Sequence, residues 1–232
     1  MYIVLAMKVD AAPTARKSYL GIAIVVALVL FAGFARNYYL RAWLGTRAIT
    51  FMVHVHGLVM TAWVLLFLVQ VLFIAKHRIA WHRRLGVAGA ALAVVVFVLG
   101  VYTIAQGIER QMPHADPVVD ALAFVAFDGV ILCVFAGLVL MALVKRRRSE
   151  WHKRLMLMAM ISLLPPAFGR LVINFTREHA ELIVLGLMCA SVLACLAVDF
   201  RRHRALHPAF VLGGALVILS NLVTYVAQTA GD

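Results

Sequence analysis

The sequence predicts an all-α integral membrane protein, a bundle of about seven transmembrane helices with two related helical hairpins at its centre. Hydrophobic residues make up 65% of the 232 residues and charged residues only 14%, whereas a soluble domain is about half apolar and about a quarter charged. The apolar residues fall into seven long runs, and a helix needs about 20 such residues to cross a bilayer. The cationic residues lie mostly between these runs, as they do in loops beside a membrane.

The seven runs together form one transmembrane domain that extends over the chain. They are too long for strands, and they lack the alternation of polar and apolar residues that a half-buried strand shows. The first run follows Arg16 and Lys17, as in a signal peptide, but no clear A-x-A site comes after it, so we expect an uncleaved helix. The predicted spans are residues 19–35, 51–75, 85–108, 118–144, 155–175, 181–200 and 209–227.

The distribution of Lys and Arg predicts how these spans are oriented. Sixteen of the 22 cationic residues precede the first span or lie near the loops after the second, fourth and sixth spans. Because cytoplasmic loops carry the excess of Lys and Arg, this side is predicted to face the cytoplasm. We therefore expect a multi-pass protein of the bacterial inner membrane, with the N-terminus in the cytoplasm, the C-terminus outside and the lipid bilayer as its main partner.

A short motif occurs twice and indicates an internal repeat. The segment W-H-R-R-L at residues 81–85 recurs as W-H-K-R-L at residues 151–155, and each copy opens an odd-numbered span after a basic loop. Residues 51–108 and 118–175 are therefore predicted to be two related hairpins. Parallel repeats often place a binding site at the interface between the copies. The alternative is that the motif only anchors each helix at the headgroups.

These motifs belong to a longer pattern that resembles a known group of proteins. The pattern consists of F-x-R-x-Y-Y-L at residues 34–40, His56, Gln70, H-R-R-L-G at residues 82–86, H-K-R-L-M at residues 152–156, and Arg170. Over residues 34–170 the chain resembles a group of bacterial predicted membrane proteins to which no activity is assigned. More loosely, the four central helices are similar to the cytochrome b561 architecture, in which histidines on alternate helices hold a haem near each membrane face.

The repeated histidines are the candidates for binding haem b. Neutral imidazole ligates haem iron, and His82 and His152 begin facing spans at matched depth. We expect these two as axial ligands of a single haem on the cytoplasmic side, since the fourth span offers aspartates where an outer haem would need a histidine. The cations expected near the haem propionates are Arg83, Arg84, Lys153 and Arg154.

Two further residues are candidate metal ligands. Met156 follows His152 by one helical turn, and a histidine beside a thioether suits Cu(I) or haem. His56 shares one helix face with Trp63 and Gln70, which suggests a polar seam toward the bundle interior. The alternatives are that Met156 is ordinary core filler and that His56 is a hydrogen-bonded interior histidine.

Ionisable residues inside spans are costly, which makes them candidates for function. The sequence predicts a polar outer pocket, because Asp128 and Arg170 lie at similar depth and Pro165-Pro166 interrupts the fifth span just before Arg170. Such a pocket would bind an anion or a proton; the alternatives are a structural ion pair and a simple packing kink. Its predicted members are His56, Asp128, Arg170 and Asn174.

Several functional classes are excluded or ranked by these observations. The net charge of +12 comes from clusters between apolar runs, so no nucleic-acid partner is expected. No nucleotide-binding or zinc-protease motif is present, and no catalytic residue is assigned. The leading hypothesis is a b-type haem protein that transfers electrons in the membrane. The alternatives are a non-catalytic subunit or assembly factor of a larger membrane complex, and a small-molecule or proton transporter.

Overall fold

A computed structural model describes residues 13–46, 48–111 and 128–229. These residues form helices joined by short connections, with no strand among them, so the predicted all-α membrane fold is confirmed. Six helical segments of this part of the chain are long and apolar enough to cross a membrane, and a shorter apolar helix, Val130–Val144, lies among them. The six are Ser18–Tyr39, Phe51–Ala75, Ile79–Glu109, Ser149–Ile173, Ala180–His203 and Pro208–Thr229.

The helices follow one another with tight connections. A π-helical turn, Ala35–Tyr39, continues α1, and the left-handed Gly45 (φ 61°) ends the one-turn helix α2. Thr50 caps α3 by accepting a hydrogen bond from the backbone N of Val53 at 3.4 Å. The helices are α1 Pro13–Phe34, α2 Arg41–Leu44, α3 Phe51–Ala75, α4 Ile79–Gln111, α5 Val130–Val144, α6 Ser149–Ile161, α7 Pro165–Ile173, α8 Ala180–His203 and α9 Pro208–Thr229.

Three of these helices differ in extent from the predicted spans. Helices α4 and α6 begin about six residues earlier than the apolar runs, so both copies of the repeated motif are helical. Cationic side chains are compatible with these first turns because they can reach the headgroup region. The first part of the fourth predicted span, residues 118–127, lies outside the described residues.

The fifth predicted span is broken into two helices, α6 and α7. Helix α6 ends at Ile161, and α7 begins at Pro165, where a proline is tolerated because the first helical N–H groups have no partner within the helix. The side chain of Ser162 lies in the break and donates to the backbone O of Ala159 at 2.8 Å. The interruption expected from Pro165-Pro166 is therefore present.

The described helices pack as two central hairpins with α1, α7, α8 and α9 around them. Helix α3 pairs with α4 and α5 with α6; α4 also packs on α5, α1 packs on α3 and α7, and α9 packs on α5, α6 and α8. Trp63 and Phe135 join the two hairpins edge to face, with ring centroids 5.4 Å apart. The most deeply buried core lies along α5, α6 and α9.

Two glycines mark close approaches between helices. A Cβ at Gly33 would lie 2.6 Å from the backbone of Ala167, so α1 and α7 touch there. A Cβ at Gly213 would lie 2.8 Å from the side chain of Met158, at the contact of α9 with α6. Small residues at such points let membrane helices approach closely, and dispersion contacts between helices then hold the bundle together.

The outer surface of the bundle is apolar along its spans. Large aliphatic side chains such as Leu28, Val87, Leu140 and Leu193 are more than half exposed in the isolated protein. Soluble monomers rarely expose contiguous apolar surface of this kind. Since hydrocarbon solvates such side chains and offers no partner to the backbone, this surface together with the helical backbone fits a lipid bilayer.

Candidate functional site

The two repeated histidines meet between the central hairpins. His82 lies in the first turn of α4 and His152 in the first turn of α6, and both side chains are half-buried. Their ring centroids are 6.2 Å apart, and the ring planes are inclined at 78°. The structure thus brings together two imidazoles that are distant in the sequence.

Each ring is held at its Nδ1 atom. Nδ1 of His152 lies 2.9 Å from the backbone O of Ala142, to which it can donate a hydrogen bond. The nitrogen of the Gln70 carboxamide donates to Nδ1 of His82 at 2.5 Å and to the backbone O of His82 at 3.1 Å, and the carboxamide oxygen accepts from the N of Gly86 at 2.9 Å. The Ala142 carbonyl at Nδ1 leaves Nε2 of His152 as the unprotonated nitrogen that can bind a metal ion, whereas donation from Gln70 to Nδ1 places the proton of the neutral His82 ring on Nε2.

Small residues after His82 face another helix. A Cβ at Gly86 would come within 3.8 Å of Gln70, and one at Gly89 within 3.4 Å of Leu66, so both glycines lie against α3. Their role in the structure is therefore the close packing of α4 on α3. Trp81 adds to the contact with α3 through Phe73, with ring centroids 6.4 Å apart, and the guanidinium of Arg84 lies over its ring.

Arg154 occupies a buried site that the sequence did not suggest. The guanidinium is only 1% exposed and binds the carboxylate of Asp199, itself 2% exposed, with its Nη2 at 2.6 Å and its Nε at 3.1 and 3.2 Å from the two oxygens. Its Nη1 donates to the backbone O of Glu150 at 3.0 Å and pairs with the Glu150 carboxylate at 2.5 Å. Arg154 is thus neutralised by protein carboxylates.

The other cations of the motifs differ in their surroundings. Lys153 forms an ion pair with Glu150 at 2.7 Å and lies over the ring of Tyr19. Arg83 and Arg84 are exposed on the first turns of α4. Of the four cations predicted near propionates, two therefore interact with carboxylates of the protein and two lie at the surface.

Sequence reasoning missed Asp199 and Glu150. Asp199 is an acidic residue near the end of a predicted span, and the cost of a charge within an apolar run was the signal that could have found it. His203, one turn later, places its Nδ1 3.1 Å from the same carboxylate. The resulting cluster of Glu150, Arg154, Asp199 and His203 ties α6 to α8 at the end of the bundle that carries the basic loops.

His207 lies beside this cluster and caps α9. Its Nδ1 accepts a hydrogen bond from the backbone N of Ala209 at 3.1 Å, and its ring packs edge to face on Trp151. Burial lowers the pKa of the His207 imidazole, and the positive charge of Arg154 lowers it further. Both effects favour the neutral imidazole, which is the form that can accept this bond.

The predicted polar pocket lies at the opposite end of the bundle. Arg170 donates to the backbone O of Pro166 at 2.8 Å, and its guanidinium lies 4.4 Å from the ring centroid of Phe34. The charge of Arg170 acts on both His56 and Asp128. No ion pair within 4 Å joins Arg170 to Asp128, although the structure describes both side chains. The three residues are therefore neighbours rather than a closed salt bridge.

Asn174 belongs to a cavity with a more cationic lining than predicted. Its Oδ1 accepts a hydrogen bond from Arg36 at 3.4 Å. The cavity has a volume of about 480 Å³. Its lining residues are Arg36, Asn37, Thr46, Arg170, Ile173, Asn174 and Arg177. Arg170 and Asn174 are thus brought together as predicted, whereas Arg36 and Arg177 come from connecting segments that the sequence gave no reason to combine.

The two candidate metal ligands lie toward opposite ends of the bundle. His56, near the start of α3, has a buried Nδ1 without a hydrogen-bond partner among the described residues. Met156, in the middle of α6, packs against the hydrophobic core. Across residues 13–46, 48–111 and 128–229, no three side chains of His, Cys, Asp or Glu gather as a metal site. A metal role for either residue stays a prediction.

No protein-family model matches the chain, and no curated protein or solved structure matches it either.

Proposed function

We propose that this polytopic membrane protein binds one b-type haem and transfers electrons within the membrane, with His82 and His152 as the axial ligands. The distance between the two imidazole rings carries this proposal. A ring nitrogen binds a transition-metal ion at about 2 Å, so two rings on opposite sides of one metal ion have centroids about 6 Å apart. The observed separation of 6.2 Å fits that requirement.

The surroundings of the two rings also fit axial ligation. The Ala142 carbonyl holds Nδ1 of His152, which orients this ring and supports ligation through its Nε2. Gln70 orients the His82 ring at Nδ1, and ligation through Nε2 of His82 would require this carboxamide to turn its oxygen toward Nδ1. The chemistry that haem supplies when bound is one-electron transfer.

The cations near the histidines divide into two roles. Arg83 and Arg84 are exposed and suit the propionate carboxylates, with which arginine forms charge-assisted hydrogen bonds. Arg154 is saturated by Asp199 and Glu150, and Lys153 by Glu150. In this proposal, Arg154 and Lys153 hold α6 in place and thereby fix the position of His152.

Absorption spectroscopy of the purified protein tests the proposal. Protein produced with sufficient haem should show a Soret band, and His82→Ala and His152→Ala should each reduce or abolish it. Adding free imidazole to either variant should restore the band in part, because a small imidazole can enter the space left by the side chain. His179→Ala is the matched control, since His179 is exposed at the other end of the bundle, and it should keep the band.

Two results would overturn the haem proposal. One is wild-type protein that shows no Soret band after purification and gains none on titration with haemin. The other is a band whose position and intensity are unchanged in both histidine variants. Size-exclusion chromatography of each variant separates the loss of a ligand from the loss of the fold.

We further infer that the protein lies in the bacterial inner membrane with its N-terminus in the cytoplasm. The excess of cationic residues at one end of the bundle supports this orientation, because such loops stay on the cytoplasmic side. The His82–His152 pair would then lie near the cytoplasmic face. Electron transfer also requires a donor and an acceptor, so we expect membrane redox partners, which co-purification would identify.

A further inference from the structure

The arginine-lined cavity lies at the end of the bundle opposite the two histidines. Arg36 follows α1, Arg170 lies near the end of α7, and Arg177 follows α7, whereas His82 and His152 begin α4 and α6. Because consecutive spans alternate in direction, the ends of α1 and α7 lie at one face of the membrane and the starts of α4 and α6 at the other. The cavity is therefore separate from the proposed haem site.

Among the described residues, the lining of this cavity carries three positive charges and no carboxylate. The guanidinium groups of Arg36 and Arg170 donate hydrogen bonds to described residues, and both acceptors are neutral. The Asn174 side-chain oxygen accepts from Arg36, and the backbone O of Pro166 accepts from Arg170, while the Phe34 ring packs under Arg170. Hydrogen bonds to neutral acceptors do not neutralise these cations. The Asp128 carboxylate lies near Arg170 without forming an ion pair with it, so a bound anion would balance the remaining positive charge.

The geometry and size of the cavity indicate the kind of anion. Guanidinium groups bind the oxygens of carboxylate and phosphate in pairs, and three of them around one space suit a group with several oxygens. A volume of about 480 Å³ is in the range of cavities that hold small organic molecules. The Asn37 and Asn174 side chains add hydrogen-bonding groups to the wall.

We propose that this cavity binds a phosphate-bearing anion. The phosphate can belong to the headgroup of an anionic phospholipid or to a soluble molecule, and the arginines would recognise it in the same way. Ile173 in the cavity wall is 52% exposed, and Phe175 beside it is 89% exposed. These apolar side chains at the rim would contact the acyl chains of a lipid.

Thermal unfolding of the full-length protein in detergent tests this proposal. We would measure Tm while adding phosphatidylglycerol, phosphatidylcholine with the same acyl chains, or inorganic phosphate. A ligand that binds only the folded protein raises Tm. We expect phosphatidylglycerol to raise Tm, and the double variant Arg36→Gln/Arg177→Gln to need at least about tenfold more of it, because two charge-assisted hydrogen bonds are lost.

The choice of variants keeps the experiment interpretable. Arg36 and Arg177 are exposed, so replacing them should leave the fold intact, whereas Arg170 packs inside the bundle. Arg147→Gln is the matched control: it removes one exposed positive charge from the loop between α5 and α6, far from the cavity, and should respond to the lipid like the wild type.

Each outcome either identifies where the bound phosphate comes from, a lipid headgroup or a soluble molecule, or contradicts the proposal. A rise in Tm with phosphatidylglycerol alone supports a lipid headgroup, and a rise with inorganic phosphate that the double variant loses supports a soluble phosphate. An equal rise with phosphatidylcholine, a rise that the double variant retains at the same concentration, or no rise in the wild type would each show that the cavity does not bind the proposed group.

Discussion

A buried guanidinium and a buried carboxylate face each other near the basic end of the bundle. Arg154 and Asp199 are almost fully excluded from solvent, and Glu150 and His203 complete the polar contacts around them. Removing two charges from water is costly, and mutual attraction offsets that cost only when both partners are present and well hydrogen-bonded. The pair therefore favours one arrangement of α6 against α8 more than it contributes net stability.

Loss of one partner at this site should be much more damaging than loss of both. Asp199→Asn leaves Arg154 with only the half-exposed Glu150 carboxylate as a counter-charge and should lower the free energy of unfolding by roughly 3 kcal/mol. Arg154→Met combined with Asp199→Leu should melt closer to the wild type than Asp199→Asn does, because no isolated charge remains. Thermal unfolding in detergent measures all three proteins.

Glu150→Gln serves as the control for that comparison. The Glu150 carboxylate is 47% exposed, so solvent already screens its interaction with Arg154. Glu150→Gln should therefore lower the free energy of unfolding by less than about 1 kcal/mol. If Asp199→Asn melted at the temperature of Glu150→Gln, the buried pair would not be the contact that holds α6 against α8.

At the scale of helices, backbone proximity determines which residues are tolerated. Helices α1 and α7 approach so closely at Gly33 that any side chain there would collide with the backbone of Ala167. Backbone atoms cannot turn aside as the end of a flexible side chain can. Since α7 carries Arg170 at the arginine-lined cavity, and Phe34 at the end of α1 packs against it, this contact also positions the cavity.

Gly33→Ala should therefore destabilise the protein, although alanine favours helix formation. Overpacking at a close contact costs about 1–3 kcal/mol. Gly21→Ala on the same helix has open space around its Cβ and should be neutral or slightly stabilising. The two variants are compared by their Tm and by the yield of monodisperse protein. If Gly33→Ala were as stable as Gly21→Ala, α1 and α7 could not lie in close contact at Gly33.

On the scale of the whole molecule, charge and apolar surface decide how the bundle lies in the bilayer. The connections after α3, α5 and α8 carry most of the cations, and they lie at the end of the bundle where α4, α6 and α9 begin. The three cysteines lie within apolar helices, Cys133 in α5 and the other two in α8. A thiol reagent should therefore label the wild-type chain only weakly, so labelling of an introduced cysteine can be detected above it.

Labelling of introduced cysteines in intact cells should report the predicted orientation. With a maleimide that does not cross membranes, Glu178→Cys should react, and Arg147→Cys should react only after the membrane is made permeable. Both positions are exposed, and the wild-type chain provides the background. The reverse pattern of reactivity would place the basic loops outside the cell and contradict the proposed orientation.

Much of the architecture was predictable because the forces that create it act locally. Run length and composition located the spans, and Pro165-Pro166 located the break between α6 and α7. The repeated motif singled out His82 and His152. The sequence could not reveal that Arg154 binds Asp199, because the two are 45 residues apart and only packing brings them together. The sequence did not connect Arg177 with the pocket for the same reason, since Arg177 lies outside every predicted span, and Arg36 was noted only as part of the F-x-R-x-Y-Y-L pattern.

The sequence by itself determined that the chain forms apolar helices in a membrane, because hydrocarbon requires every backbone group to be satisfied within the helix that carries it. It also determined which residues lie near each end of the bundle. Only the tertiary structure decided which side chains meet: the two imidazoles 6.2 Å apart, the buried Arg154–Asp199 pair and the three arginines around one cavity. Such contacts depend on the rotation and spacing of whole helices, which are set by the sum of many weak packing interactions rather than by any local pattern.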